Sequence, residues 1–447
     1  MLNKINTLTL NTTSRSEKAE KNNLKNSAAS PVEKSYNSIY DKNVAFNGLF
    51  TDVIYSNKFQ DSTEKQMYKE LQAMLSPKSK ENLNTLLKTG SLLNKNSNDG
   101  SSVLFNLYKI ATTERAPGLD RNKILDETLA TLVNRFIINQ NFGDLPGNLP
   151  NEILTETHQE WLKNGLGLDA APPNVPRTVE DLNVTSSGTC VAASIEFNLA
   201  DKRPAEFTRY VEGLTSPALC VKSNIKFSDI APNFVDAVNL LTQFGVEFKA
   251  KNWSDLEVTL RPDRYAIVRA RVQNTYKDPH ERSLIDVLLQ STFMQLGSEN
   301  TYNSLTDKRY GSFNPNDKGL TEFEKNFTEA IVDNDGGKTS VTYQIVDENA
   351  RLVGYNLDYN TTLKHLTDTL NSGSNVIVGI TEVDGTNKII GGHEITIIGI
   401  RQGKDNELYF ICNDTDDDYD GAVEIKAKDL IPKIHHAGIP NKVLNLS

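Results

Sequence analysis

The spacing of hydrophobic positions changes along the chain. Between residues 45 and 166 apolar side chains recur every three or four residues, and one segment carries Met67, Leu71 and Met74 on a single face. A second segment opens on Asp120, a residue type that caps helices, and then repeats the spacing. Its apolar positions are Ile124, Leu125, Leu129, Leu132, Val133 and Phe136. This pattern predicts a helical domain over residues 45–166, in which the apolar stripes form the core.

Residues 167–182 contain three prolines and predict a linker or extended lead-in. Beyond it, helical spacing returns at 232–245 and 283–297, each ending in a glycine suited to a left-handed helix cap. Four apolar, β-branched runs predict strands, and a turn at 403–406 joins the last two into a hairpin. They are 339–346, 375–383, 393–400 and 407–413. We therefore predict an α+β domain over residues 167–447.

Composition narrows the class of protein. The net charge is -10 and the isoelectric point about 5.3, which argues against a nucleic-acid partner. Residues 1–44 are rich in Lys, Asn and Ser and predict a disordered tail. The first residues lack the continuous apolar run of a secretory signal, and no segment approaches the roughly 20 apolar residues of a membrane span. We expect a cytoplasmic protein without a membrane partner, although specialised export stays open.

Cys190 is the candidate nucleophile. It follows a small polar turn, residues 186–189, and begins a segment with the pattern of a buried helix. The positive end of the helix dipole favours the thiolate form of a cysteine. Cys220 and Cys412 lie in apolar surroundings typical of small core residues. Three cysteines give no disulfide framework and no paired metal spacing, which indicates a reducing compartment.

A nucleophilic thiol needs a base, and the base needs an orienting group. His393 follows two glycines at the start of a predicted strand, and Asn413 and Asp414 end the next one. Adjacent antiparallel strands lie about 5 Å apart, so the hairpin can bring His393 to either residue. Successive side chains of a strand point to opposite faces, so only one of the two can face His393. This alternation favours Asp414 as the partner of His393 and keeps Asn413 off the core. The other histidines are assigned to surface or helix roles: His158, His280, His365, His435 and His436.

These motifs, in this order, resemble the papain-like cysteine peptidases over roughly residues 182–430. A cysteine enters a helix, a Gly-His pair begins a strand that ends at Gly399, and an apolar strand then ends in Asn or Asp. Residues 283–305 more loosely resemble the helix and turn of calpain-type members, and Cys-Asn-Asp at 412–414 is similar to bacteriocin-processing peptidases. The resemblance implies a papain-like domain over 167–447, with a helical lobe and a twisted antiparallel sheet.

The resemblance also implies roles for individual residues. Cys190 would be the nucleophile, His393 the general acid and base, and Asp414 the orienting group, with Asn413 the second choice. Papain-like enzymes usually carry a glutamine six residues before the nucleophile, where this chain has Val184. Asn183, together with the backbone N–H of Cys190, is the expected substitute for that oxyanion donor.

The implied function is a cysteine peptidase that hydrolyses peptide or amide bonds of protein or peptide substrates through an acyl-enzyme. Such a peptidase is expected to require no cofactor and no metal. Two other classes stay open: a transglutaminase-like acyltransferase or deamidase, and an inactive binding protein that keeps the fold. The sequence does not decide whether the N-terminal helices inhibit the site or recruit a partner, and it does not predict an oligomeric state.

An acidic segment follows the predicted orienting residue. Asp416, Asp418, Asp420 and Gly421 have the spacing that opens a calcium loop, but Ala427 stands where a glutamate should close the cage. The favoured interpretation is a solvated acidic loop beside the active site. Such a loop would favour basic substrates.

Overall fold

A computed structural model describes residues 56–445 except 144, 166, 168–169, 185–186, 276–280, 313–317, 334–336 and 417–419. The tail predicted over residues 1–44, together with His280 and Asp418, lies outside the described residues. Within these limits the chain forms thirteen α-helices and eleven strands, all paired strands being antiparallel, so the predicted α+β class is confirmed.

The helices before the candidate nucleophile are α1 (Ser62–Met74), α2 (Pro77–Thr89), α3 (Val103–Thr112), α4 (Arg121–Val133) and α5 (Leu149–Lys163). The later helices are α6 (Cys190–Lys202), α7 (Pro204–Leu214), α8 (Phe234–Gln243), α9 (Ala266–Thr275), α10 (Leu284–Gly297), α11 (Glu322–Val332), α12 (Tyr359–Asn371) and α13 (Ala427–Leu430).

The strands are β1 (Val221–Lys226), β2 (Glu247–Ala250), β3 (Asp255–Leu260), β4 (Lys338–Thr342), β5 (Gln344–Val346), β6 (Leu352–Tyr355), β7 (Val376–Val383), β8 (Ile389–Gln402), β9 (Leu408–Asn413), β10 (Val423–Lys426) and β11 (Ile434–Pro440). The largest sheet has the order β10-β9-β8-β7-β11-β4, the second has the order β1-β3-β2, and β5 pairs with β6.

Capping side chains fix several helix starts that the sequence predicts. The Asp61 carboxylate accepts a hydrogen bond from the backbone N–H of Glu64 (2.8 Å), and that of Asp120 accepts one from Asn122 (2.7 Å). A side-chain oxygen at this position satisfies a backbone donor that the helix leaves unpaired. These contacts explain why α4 begins after Asp120, as the cap pattern indicates, and why α1 begins after Asp61.

Helices cover both faces of the six-stranded sheet. On one face Ile377, Ile398 and Ile411 pack into a cluster built mainly from helices α1–α4, α6, α7, α10 and α11. On the other face Ile397 and Phe410 pack against α12 and α13. The first cluster joins apolar residues on both sides of residue 166. The core therefore crosses the boundary between the two predicted domains, and the division itself stays a prediction.

Three local predictions are wrong. Strand β8 begins at Ile389, so His393 lies within a strand rather than at its start. The run 339–346 divides into β4 and β5 at Tyr343, whose backbone N–H donates to the carbonyl of His435 (2.7 Å). Met74 is exposed on α1 instead of packing with Leu71.

The two helix-ending glycines behave differently. Gly245 has φ +66° after α8 and confirms the predicted left-handed position. Gly297 stays inside α10, where a Cβ atom would lie 2.6 Å from Leu320 Cδ1 and 2.7 Å from Thr328 Oγ1. Close packing against the neighbouring segment, rather than a left-handed cap, explains this glycine.

Among the helices of the described residues, none combines the length and apolar character needed to cross a membrane.

Candidate active site

Cys190 is the first residue of helix α6, as the sequence predicts. The helix is buried from Val191 to Asp201, whereas Cys190 itself is partly exposed. A buried helix holds its N-terminus in a fixed position, and the N–H groups of its first turn have no partner within the helix. This arrangement presents a thiol to solvent from a rigid support.

A buried arginine holds the turn before Cys190. Arg282 Nη2 donates to Ser187 Oγ (2.6 Å) and to Thr189 Oγ1, and Arg282 Nε donates to the carbonyl of Gln140 (2.7 Å). The Asp307 carboxylate accepts from the backbone N–H of Gly188 (2.9 Å). Arg282 and Asp307 lie on either side of the segment 283–305, which loosely resembles part of the calpain-type peptidases. Their side chains fix the position of the turn before Cys190.

Gly188 allows a close approach at this turn. A Cβ atom there would lie 2.5 Å from Lys318 Cβ and 2.6 Å from the Lys318 carbonyl carbon, which is closer than real side chains come. Because the obstructing carbon belongs to the backbone, a larger residue could not be accommodated by a rotamer change alone. Packing therefore explains the glycine at position 188, two residues before Cys190, independently of any chemical role of the thiol.

His393 and Asp414 meet as predicted. His393 lies on β8 and Asp414 directly follows β9, its hairpin partner, and His393 Nε2 is 2.7 Å from Asp414 Oδ1. The two side chains are 23% and 31% exposed, so the pair is open to a ligand. The Asp414 carboxylate accepts from Nε2–H, and the Cys190 thiol lies close enough to the ring to raise the pKa of His393.

His393 and Asp414 shift each other's pKa towards the charged forms. Burial alone would lower the pKa of His393, but the charge and hydrogen bond of Asp414 and the contact with Cys190 raise it well above its ordinary range. Burial would raise the pKa of Asp414, yet the attraction of His393 lowers it. An imidazolium between two acidic groups is the state that this geometry favours.

Asn413 does not take the place of Asp414. It lies opposite Thr396 in the β8–β9 pairing and is buried, so the expectation that it stays off the core is wrong. Its Nδ2 finds no hydrogen-bond partner among the described residues. Both faces of the sheet are covered by helices, and alternation therefore sends consecutive residues into two buried layers.

Asn183, the residue predicted to donate to an oxyanion, is exposed after a short 3₁₀ turn at 180–182. Its backbone N–H donates to the Glu180 carbonyl (3.2 Å). This backbone contact does not relate the Asn183 side chain to the thiol, so its role as an oxyanion donor stays a prediction.

Gln140 lies between the two halves of the site, and sequence reasoning did not single it out. Its backbone N–H donates to the carbonyl of Thr415 (3.0 Å), and its Oε1 accepts from Thr415 Oγ1 (2.9 Å). Its carbonyl accepts from Thr189 Oγ1 (3.4 Å). Thr189 precedes Cys190 and Thr415 follows Asp414, so Gln140 joins the residues beside the thiol and the carboxylate.

The other two cysteines differ from each other. Cys412 is fully buried in the core of the sheet, and burial raises the pKa of its thiol far above the ordinary range. This is the core role that the sequence predicts. Cys220 is only partly buried, in the segment before β1, so its assignment to the core is wrong.

The acidic loop after Asp414 is described only in part. Asp416 Oδ1 accepts from Asn141 Nδ2 (2.8 Å), and the Asp416 backbone N–H donates to Asp414 Oδ1 (3.0 Å). Asp418 lies outside the described residues, so calcium binding by this loop stays an untested interpretation.

The remaining histidines fall into two groups. His158 and His365 lie on helices α5 and α12, as expected. His435 and His436 lie on β11 inside the six-stranded sheet and are only partly buried, so a helix role is wrong for both. His436 Nε2 is 2.9 Å from Glu394 Oε1, a polar partner that the sequence pattern did not indicate.

Comparisons with protein-family models, with curated proteins and with solved structures found no match for this chain. Any account of its function therefore depends on the geometry of Cys190, His393 and Asp414.

Proposed function

We propose that the chain is a papain-like cysteine hydrolase that cleaves peptide or amide bonds through Cys190. The observation that carries this proposal is the position of His393, which contacts the Asp414 carboxylate at 2.7 Å and has the Cys190 thiol as a neighbour that raises its pKa. A thiol, an imidazole and a carboxylate in this order are the working parts of a cysteine nucleophile.

The reaction follows from these three groups. The Cys190 thiolate attacks the carbonyl carbon of the substrate, and the carbonyl oxygen becomes an oxyanion. His393 gives its proton to the leaving amine as the C–N bond breaks, which leaves a thioester on Cys190. His393 then takes a proton from water as the water attacks the thioester; the C–S bond breaks, the acid product is released, and Cys190 returns to the thiolate beside the protonated ring. Asp414 keeps the ring oriented and stabilises the imidazolium.

The oxyanion needs donors that are already in place. The backbone N–H of Cys190 belongs to the unpaired first turn of α6. The side-chain amide of Gln140 is the second donor in this proposal. Thr415 Oγ1 donates to Gln140 Oε1, which leaves the Nε2 end of the amide to donate. Gln140 would replace the glutamine that papain-like enzymes carry six residues before the nucleophile.

The fold supports the same proposal. A buried helix begins with the cysteine, and an antiparallel sheet beside it carries the histidine on one strand and the aspartate directly after the neighbouring strand. A papain-like hydrolase is expected to have this arrangement. The proposed reaction uses no cofactor or metal at this site.

Alkylation tests the nucleophile without knowledge of the substrate. We expect iodoacetamide at neutral pH to modify Cys190 at least tenfold faster than Cys220, which is also partly exposed and so serves as a matched control. Cys412, which is buried, should resist modification in the folded protein. Equal rates at Cys190 and Cys220 would overturn the proposal.

Product analysis then tests the reaction. The full chain is incubated with an unfolded protein substrate, with and without an added primary amine, and Cys190→Ala is the control. Cleaved peptides that depend on Cys190 support hydrolysis. Amine-joined or deamidated products without cleavage would assign the same thioester to acyl transfer or deamidation instead, and absence of all three products from an activated thiol would leave a binding protein.

A further inference from the structure

A second group of polar side chains crosses the six-stranded sheet one residue away from His393. In the strand pairings Glu394 of β8 lies opposite Gly379 of β7, Gly379 lies opposite His436 of β11, and His436 lies opposite Thr342 of β4. These four residues form one row across four strands. Successive residues of a strand point to opposite faces, so Glu394 and His393 serve different surroundings.

Gly379 opens the middle of this row. A Cβ atom at Gly379 would lie 2.3 Å from His436 Cε1 and 2.6 Å from Glu394 Oε1. The missing side chain lets the imidazole and the carboxylate meet above the strand, where His436 Nε2 is 2.9 Å from Glu394 Oε1. Since Glu394 also pairs with Lys325 Nζ at 3.1 Å, its oxygens act as acceptors and favour the proton of His436 on Nε2.

A break in strand register brings a second histidine to the same place. Consecutive residues of a regular strand point apart, but the β11–β7 pairing shifts its register between Ile434 and His436. As a result, His435 Nδ1 and His436 Nδ1 are 3.2 Å apart. Two ring nitrogens at this separation need either a shared proton or a cation between them.

Glu322 adds an anionic oxygen. It begins helix α11, and one carboxylate oxygen lies within 4.8 Å of a ring nitrogen of both His435 and His436. The hydroxyl of Thr342 donates to Glu322 Oε1 at 2.9 Å, and that of Ser340 donates to the same oxygen. These hydroxyls orient the carboxylate without removing its charge.

We infer that Glu322, His435 and His436 form a binding site for a divalent transition-metal ion of the Zn²⁺ class. Two imidazoles and one carboxylate are a donor set that Zn²⁺ accepts. Ligands about 2.0–2.1 Å from a tetrahedral ion stand about 3.3 Å apart, close to the spacing of the two Nδ1 atoms. Glu394 completes the arrangement as the carboxylate behind a metal-bound histidine.

This site goes beyond the proposed function, since its residues take no part in the chemistry of Cys190. Lys325 already balances Glu394, so Glu322 supplies the negative charge of the ligand set. The competing explanation is a hydrogen bond from His435 Nδ1–H to His436 Nδ1, which would stabilise the sheet without any ion. The two explanations differ in what happens when metal is added.

The test measures Zn²⁺ binding to the full chain, expressed without a histidine tag and carrying Cys190→Ser. That substitution is needed because the thiol beside His393 would itself bind a soft cation. We expect one Zn²⁺ per chain by competition with a chromophoric chelator, and a Co²⁺ spectrum of nitrogen and oxygen ligands. His435→Ala and Glu322→Gln should each abolish stoichiometric binding. Glu394→Gln should weaken it by about 10- to 100-fold.

Matched controls separate loss of a ligand from loss of the fold. His365→Ala removes a histidine of α12 and should leave Zn²⁺ affinity unchanged, while circular dichroism checks that each variant is folded. Glu322→Gln keeps the size of the side chain and one acceptor for Thr342, so it carries the test if His435→Ala misfolds. Wild-type affinity in Glu322→Gln and His435→Ala, or no stoichiometric Zn²⁺ in the Cys190→Ser chain, would overturn the inference. These results are independent of hydrolysis.

Discussion

Two histidine–carboxylate pairs lie on one sheet and involve adjacent residues of strand β8. His393 contacts Asp414 at 2.7 Å, and its chain neighbour Glu394 contacts His436 at 2.9 Å. The distances alone would not separate a catalytic pair from a structural one.

Their surroundings do separate them. The His393 pair is 23% and 31% exposed and includes the Cys190 thiol. The His436 pair is 12% and 8% exposed and is joined by Lys325. Burial would raise the pKa of Glu394, but Lys325 and His436 lower it to about 2. A nearby thiol and access to solvent, rather than the pair itself, are the features on which the proposed function assigns chemistry to His393 and Asp414.

The sharpest test of this comparison replaces one histidine of each pair. We expect His393→Ala to lower kcat by about 10⁴-fold or more, because the thiol loses both its base and its proton donor. His436→Gln keeps a donor for Glu394 and should change kcat less than threefold. Iodoacetamide labelling of Cys190 at pH 7 should slow in the first variant and stay unchanged in the second. Equal losses in both variants would mean that the two pairs are not functionally distinct.

The carboxylates give the next largest difference. Asp414→Ala should lower kcat by about 10²- to 10⁴-fold, because His393 loses its orienting partner. Asn413→Ala should cost less than tenfold, since the Asn413 amide is buried opposite Thr396 while Asp414 holds the ring. Steady-state kinetics on both variants decides between them. A larger loss in Asn413→Ala would move the assignment to the papain-type amide.

The pH profile of Asp414→Asn tests whether Asp414, rather than Glu394, sets the pKa of His393. The Asp414 charge raises the pKa of His393, so an uncharged amide should lower it. The protonated ring is the proton donor for the leaving amine and is lost as pH rises. The alkaline limb of kcat/KM should therefore move to lower pH in Asp414→Asn, while Glu394→Gln should leave it in place. An unmoved limb in Asp414→Asn would show that this carboxylate does not set the charge of the ring.

Gln140 and Asn183 compete for the role of oxyanion donor. Gln140→Glu keeps the acceptor for Thr415 but replaces the amide donor with a carboxylate, and it should lower kcat by about 10²- to 10³-fold with little change in KM. Asn183→Ala should have no effect, because Asn183 is exposed. The reverse result would restore the prediction made from the sequence.

Local pattern was sufficient for part of the site. The helix start at Cys190 depends on the turn that precedes it, and the meeting of His393 with Asp414 depends on one short hairpin. Both are short-range features, and the structure agrees with them. Asn413 was misplaced because alternation was interpreted for a sheet with one buried face, whereas helices cover both.

The residues that hold the site in place could not be predicted from the local sequence pattern. Gln140 reaches Thr415 across 275 positions, and Arg282 reaches the Gln140 carbonyl across 142. Contacts of this kind depend on how distant segments pack, and hydrophobic spacing contains no signal for them. The meeting of His435 and His436 depends on a register break, which a sequence that alternates normally does not reveal.

The smallest expected effect concerns stability and again separates the two pairs. With metal removed by EDTA, Glu394→Gln should lower the free energy of unfolding at pH 7 by about 2 kcal/mol, because buried Lys325 loses a charged partner. Asp414→Asn should cost less, since its pair is partly open to water. Urea unfolding at several pH values measures both.

The pH dependence identifies the Glu394 carboxylate as the cause. Its pKa of about 2 lies below the roughly 4.3 of an unfolded glutamate, so its contribution is full above about pH 4.3 and is lost as pH falls towards 2. The wild type should therefore lose its advantage over Glu394→Gln as pH falls from 5 to 3. An advantage that stays constant over this range would mean that shape, and not charge, makes Glu394 stabilising, and the contrast between the two pairs would then be one of exposure alone.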